Sequence, residues 1–137
     1  MYWKKFSAPL LDRVDLRFFV ENHNEDGTQE ERKGLNSTDE IRAGIAKAVK
    51  MQRKRQGIRN ARLSPQQISE YCKIDNEVRN ILDKATLKYG FSPRAIASCI
   101  KVSRTIADIA EEKSILPIHM SEAINYRKLC NNLVPEL

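Results

Sequence analysis

The chain has 137 residues, enough for one compact domain with its own core and too few for two. Lys and Arg number 24 against 18 Asp and Glu, a net charge of +6, and 41% of the residues are hydrophobic. With a mean hydropathy of −0.55 this excludes an intrinsically disordered composition, and no apolar run approaches the roughly 20 residues a membrane-spanning helix needs.

Met1 to Ser7 is basic and aromatic with no apolar stretch behind it, which is not the pattern of a secretory signal. The three cysteines (Cys72, Cys99, Cys130) are odd in number and widely spaced, the usage of reduced thiols in a cytoplasmic protein. Val14, Leu16 and Phe18 alternate with Asp15 and Arg17, and Phe19 and Val20 prolong the apolar run. Period-two alternation of aromatic and β-branched residues predicts a strand, centred on Leu16 to Val20. A single strand cannot satisfy its own backbone, so it expects a sheet that the rest of the sequence does not supply. The expectation is therefore a piece of a larger polypeptide, with residues 1–20 a remnant of its core.

Residues 21–36 are polar, contain Gly27 and Gly34, show no periodicity, and read as a flexible linker. If so, residues 1–36 are disordered, or are held by pairing with another copy or by Phe18 and Phe19 packing on the helical bundle. From Ser37 to residue 128 the pattern is five helices, with residues 129–137 as a tail. Ser37 and Glu40 form a capping box ahead of Ile41, Ile45, Ala48 and Val49, and Gly57 is the stop. Gly44, inside that pattern, costs about 1 kcal/mol relative to alanine. Ser64, Pro65 and Gln67 open a short second helix with Ile68, Tyr71 and Cys72 inward. Asp75 caps a third (Val78, Ile81, Leu82, Ala85), closed by Gly90. Ser92 and Pro93 open a fourth carrying Ile96, Cys99, Ile100, Ser103, Ile106, Ala107 and Ala110, and Pro117 opens the last. The predicted fold is mainly α, a five-helix bundle preceded by one orphan strand and a linker.

The positive charge is concentrated. Arg42, Lys47, Lys50, Arg53, Lys54, Arg55, Arg59 and Arg62 occur with no acid among them, so the remainder of the +6 chain nets −2. Lys50, Arg53, Lys54, Arg55, Arg59 and Arg62 are the candidates for a DNA-facing patch. The alternative is a solvated helix face whose cations complement the helix C-terminus. No aromatic residue interrupts the run to stack on bases.

Self-contained catalytic chemistry is missing from the pattern. There is no Gly-Lys dipeptide and hence no phosphate-cradling GxxxxGK[ST] loop. His23 and His119 have no metal-ligand spacing with each other or with the cysteines, and read as solvated or capping residues; no metal site is expected. Cys99, on an apolar helix face, reads as a core residue. Arginine chemistry remains. Arg13, at the entrance to the predicted strand, can offer several donors to a phosphate. Arg94, in the first turn of the fourth helix, opposes the helix dipole, as a cation kept for an anionic ligand would. The bland alternative for each is a surface charge or a local ion pair.

The segment Ser7-Ala8-Pro9-Leu10-Leu11-Asp12-Arg13-Val14-Asp15-Leu16 resembles the PLLDRxDL motif of the magnesium-chelatase-like AAA+ ATPases, in particular the ComM competence-protein group. Arg62-Leu63-Ser64-Pro65, Ser92-Pro93-Arg94-Ala95, the run Val102 to Ala110 (VSRTIADIA) and Glu122 to Arg127 (EAINYR) resemble the C-terminal helical lid of the same family in the same order. The resemblance covers residues 7–128, with Ala8 where the family has glycine, and with a longer, more acidic linker. It implies an ATPase whose P-loop and magnesium-holding acids lie in a preceding part, ATP and Mg being bound by that parent and not by this piece alone. Arg13 then matches the arginine finger, acting on the nucleotide of a neighbouring subunit, and Arg94 matches sensor 2. Arg104 is the runner-up for that role, although its place late in the helix favours a structural or intersubunit contact. The implied partner is the chain itself in a ring, expected to be hexameric, in the cytoplasm and acting on DNA in recombination or competence, with no membrane involved. Three other readings remain: the I subunit of a true magnesium chelatase, a stand-alone basic DNA-binding module, and a helical adaptor.

Overall fold

A computed structural model describes residues 8–18 and 37–128. The predicted linker, the tail, His23 and Cys130 lie outside the described residues. After a single turn α1 (Ala8–Leu11) come α2 (Thr38–Gln56), a 3₁₀ turn (Asn60–Arg62), α3 (Pro65–Tyr71), α4 (Asn76–Tyr89), α5 (Pro93–Ile109) and α6 (Pro117–Lys128). The five helices expected after Ser37 are all present, and the mainly helical fold is as read from the sequence.

Their ends follow from local chemistry. The Ser37 hydroxyl accepts from the Glu40 amide while the Glu40 carboxylate accepts from the Ser37 amide at 2.7 Å, a complete capping box. Ser64 and Gln67 repeat it for α3, and Asp75 accepts from the Val78 amide at 2.8 Å for α4. Gly57 and Gly90 end α2 and α4 in the left-handed region, at φ 79° and 64°, which a side chain would strain. His119 is buried and its Nδ1 accepts from the Leu116 amide at 3.1 Å, so it caps the start of α6.

Helix α5 is the centre of the bundle: α6 and α2 pack along it, the 3₁₀ turn and α3 lie against it, and α4 closes on α6. The core joins Val78 and Leu82 of α4, Cys99 of α5, Ile115, and Met120 and Ile124 of α6. Burial pushes the Cys99 thiol up to about 11, so it stays protonated as a core group.

Two expectations are corrected. Val14 to Phe18 forms no strand; Phe19 and Val20 lie outside the described residues. The alternation is real, but no second strand among the described residues offers a ladder. The segment instead lies across the bundle, with the Arg17 amide donating to the Tyr126 carbonyl at 3.1 Å. Phe18 is 69% exposed, so polar contacts rather than its packing hold this segment. Secondly, Ile41 and Ile45 do not face inward and are about half exposed. Helix α2 buries Ala48 and Gln52, in its second half, and no residue of its first half.

Candidate functional site

The sequence-predicted arginines divide between the two ends of α5. At its C-terminal end the Asp108 carboxylate is fully buried. The Arg55 guanidinium grips it with both terminal nitrogens, at 2.7 Å to Oδ1 and 2.9 Å to Oδ2. Asn60 donates to Oδ2 at 2.9 Å, and Arg104 donates through Nε to Oδ1 at 3.1 Å. Arg104 also donates to the carbonyls of Lys113 and Glu112, at 2.9 and 2.6 Å. Burial acts to raise the Asp108 carboxyl, but the hydrogen bonds from Arg55 and Asn60 and the two guanidinium charges outweigh it and hold it below the usual carboxylate range. The bond to Asp108 likewise raises Arg55.

Arg55 and Arg104 join the end of α2, the 3₁₀ turn and α5 into one unit, and every nitrogen of both guanidiniums already has a hydrogen-bond partner. The short sequence separation of Arg104 and Asp108, one helical turn, was visible; the arrival of Arg55 from 53 residues away was not.

The rest of the basic stretch is on the surface. Arg42 pairs with Asp39 at 3.6 Å and Lys47 with Glu111 at 3.0 Å. Lys50, Arg53 and Lys54 share a shallow exposed face of α2 with Val49, while Arg59 and Arg62 are exposed at the 3₁₀ turn. These five make no ion pair with a described residue.

At the N-terminal end of α5, Arg13 and Arg94 are both exposed and make no ion pair with a described residue. The structure brings their neighbours together. The Ser92 hydroxyl, which caps α5 by accepting from the Ala95 amide, also donates to Asp12 at 2.9 to 3.0 Å. Arg13 is thus one residue from one end of that bond and Arg94 two residues from the other. Arg127, only 3% exposed, reaches up from the last turn of α6 and donates to the Asp12 carboxylate at 2.6 Å and to the carbonyls of Asp12 and Val14, each at 2.8 Å. Asp15 accepts from Ser98 of α5 at 2.7 Å. Arg17 donates back to the carbonyls of Arg127 and Leu11, and its Nε is buried with no partner among the described residues. Sequence reasoning assigned no role to Asp12, Ser98 or Arg127. The available signal was a pair of aspartates flanking Arg13, with an arginine ending the EAINYR helix.

Both exposed guanidiniums suit an anionic ligand such as a nucleotide phosphate, since no acid competes for them among the described residues. Those residues contain no group of three or more His, Cys, Asp or Glu able to hold a metal ion, and no helix long and apolar enough to cross a membrane.

Residues 35–127 match the family described as magnesium chelatase, subunit ChlI C-terminal. The chain belongs to that family. Competence protein ComM of Haemophilus influenzae is 34% identical over 128 residues, which cover 93% of this chain and 25% of the relative. The uncharacterized protein YifB of Escherichia coli is 31% identical over 133 residues, covering 97% of this chain and 26% of the relative; its Salmonella typhimurium counterpart is 30% identical. The chain thus spans about a quarter of the length of these relatives. The resemblance read from PLLDRVDL, RTIADIA and EAINYR is upheld, and with it a magnesium-chelatase-like, ComM-related helical domain.

Proposed function

We propose that this magnesium-chelatase-like domain is the lid segment of an AAA+ ATPase that works as a self-assembled ring, hexameric by family resemblance, on DNA. The observation that carries the reading is the pairing, on either side of the Asp12–Ser92 hydrogen bond, of two exposed arginines that make no ion pair with a described residue. ATP with Mg²⁺ supplies the cleavable phosphoanhydride when bound to the parent. Arg13 is the arginine finger and presents its donors to the phosphate held by a neighbouring subunit; Arg94 is sensor 2 and ties the start of α5 to nucleotide. A finger of this kind stabilises charge that develops on the phosphoryl oxygens, worth about 10³–10⁵ in rate. The cytoplasm, where buried free Cys72 and Cys99 stay reduced, is the compartment consistent with this role.

The test is ATP turnover by the full-length protein. Arg13→Ala is expected to lower it by about 10³-fold or more, and Arg94→Ala to weaken nucleotide dependence. Near-normal turnover in both variants would remove the reading.

A second role is favoured by the five cations of α2 and the 3₁₀ turn that lack an ion pair with a described residue. Lys50, Arg53, Lys54, Arg59 and Arg62 form the DNA-facing candidate, without Arg55, whose guanidinium is committed to Asp108. If all five meet phosphates, the logarithm of the DNA affinity of this chain falls against log salt with a slope of about −4 to −5. No binding at low salt would leave this face to a neighbouring subunit.

A further inference from the structure

The two motifs that carry the family resemblance at opposite ends of the chain are joined by Arg127. We infer that Arg127 is a positioning residue for Arg13, a latch that fixes the Asp12–Arg13 turn to the start of α5; the inference rests on the arginine-finger reading of Arg13.

Everything around Arg13 is tied down and Arg13 is not. On its N-terminal side, Asp12 is held by its carboxylate to both Arg127 and Ser92, and by its carbonyl to Arg127. On its C-terminal side, the Val14 carbonyl takes the other terminal nitrogen of Arg127, and Asp15 is held by Ser98. The Arg13 amide closes the turn on the Leu10 carbonyl at 3.1 Å. The Arg13 side chain itself is exposed. A reaching group needs this arrangement: a fixed base and a free guanidinium, so that little ordering remains to be done when the phosphate arrives.

The planar fork matters. One terminal nitrogen of Arg127 serves the Asp12 carboxylate and carbonyl while the other serves Val14, so both flanks of Arg13 are set by one rigid group. A lysine keeps the charge and cannot bridge the two flanks. Because the Ser92 hydroxyl is both the cap of α5 and a ligand of Asp12, Arg13 and Arg94 move as one body whenever the lid moves.

Two measurements test this. In the 137-residue chain, Arg127→Lys and Asp12→Asn are followed by amide hydrogen exchange. The Arg17 amide, bonded to the Tyr126 carbonyl, is expected to exchange at least tenfold faster in both variants, with the amides of α4 and of the middle of α5 unchanged. Unaltered protection of Arg17 in both would overturn the latch. In the full-length ATPase, Arg127→Lys is expected to lower turnover about tenfold with the KM for ATP within twofold, and to cost nothing further once Arg13→Ala is present. Additive losses would overturn the positioning role. If Arg127→Lys does not fold, Asp12→Asn, which leaves both Arg127–carbonyl bonds possible, carries the same cycle with Arg13→Ala. Normal turnover in Arg13→Ala would instead sink the arginine-finger reading. A failed latch looks different: Arg13→Ala remains severe while Arg127→Lys is harmless.

Discussion

Helix α5 carries an arginine–aspartate cluster at each end, and the two differ in what surrounds the carboxylate. At the C-terminal end Asp108 is fully buried and takes four donors, two guanidiniums among them. At the N-terminal end the Asp12 side chain is 34% exposed, its guanidinium partner Arg127 is buried, and Arg13 beside it is exposed and makes no ion pair with a described residue. The same residue types therefore build a sealed joint at one end and an open mount at the other. Burial decides which: a sealed carboxylate must consume every nearby cation, whereas a mount at the surface can leave one spare.

The largest effect expected from this contrast is on stability. Asp108→Ala leaves Arg55 and Arg104 facing each other without a counter-ion, a change of about 3–5 kcal/mol for a broken buried pair. Asp12→Ala removes an equally short contact, yet residues 8–18 can peel away and let water reach Arg127, so the cost to the helices is capped at about 1–2 kcal/mol. Urea unfolding of both variants followed by circular dichroism measures the difference. Equal losses would mean that the N-terminal cluster is as sealed as the other.

An acid titration sharpens the same comparison with a smaller effect. The Asp108 carboxyl is held below its ordinary range in the folded chain, while in the unfolded chain it titrates near about 3.9. Its contribution is thus fully present above about pH 4 and is lost as the pH falls below that, through the folded value. The urea midpoint is expected to hold from pH 7 to about 5 and to fall below 4, and Asp108→Asn should flatten that limb. A midpoint that starts to fall at pH 6 would point to a different group.

The helices were legible because their ends are local. Ser37 with Glu40, Ser64 with Gln67, Asp75, Ser92 and the two left-handed glycines each act over three or four residues, and sequence spacing states that distance directly. What the spacing could not state is which helix face finds a partner. Ile41 and Ile45 keep the helical period but lie on the half of α2 that buries no residue, so they are about half exposed. The Val14–Phe18 alternation likewise predicts a strand only if another strand is beside it. The arginines fail in the same way. Arg55, Arg94 and Arg13 are alike as residues, and only contacts spanning 53, 80 and 115 positions separate the one committed to Asp108 from the two that pair with no described residue.

The smallest expected effect lies just past the sealed end. Glu111 follows the last turn of α5 at φ 58°, the left-handed conformation that a side chain adopts at a cost of about 1–2 kcal/mol and glycine does not resist. The conformation is imposed by the helix ending, since the Glu112 amide returns to the Ala107 carbonyl at 2.8 Å. Glu111→Gly relieves that strain but frees the unfolded chain and removes the pair with Lys47, whose members are each more than 60% exposed and therefore contribute little. The balance is a gain of about 0.5 kcal/mol, read as a rise in the urea midpoint. That gain should persist in an Asp12→Ala background, because Asp12 and Glu111 lie at opposite ends of the 17-residue α5 and distant substitutions add. A gain that vanished there would show that the mount and the joint are coupled through the helix.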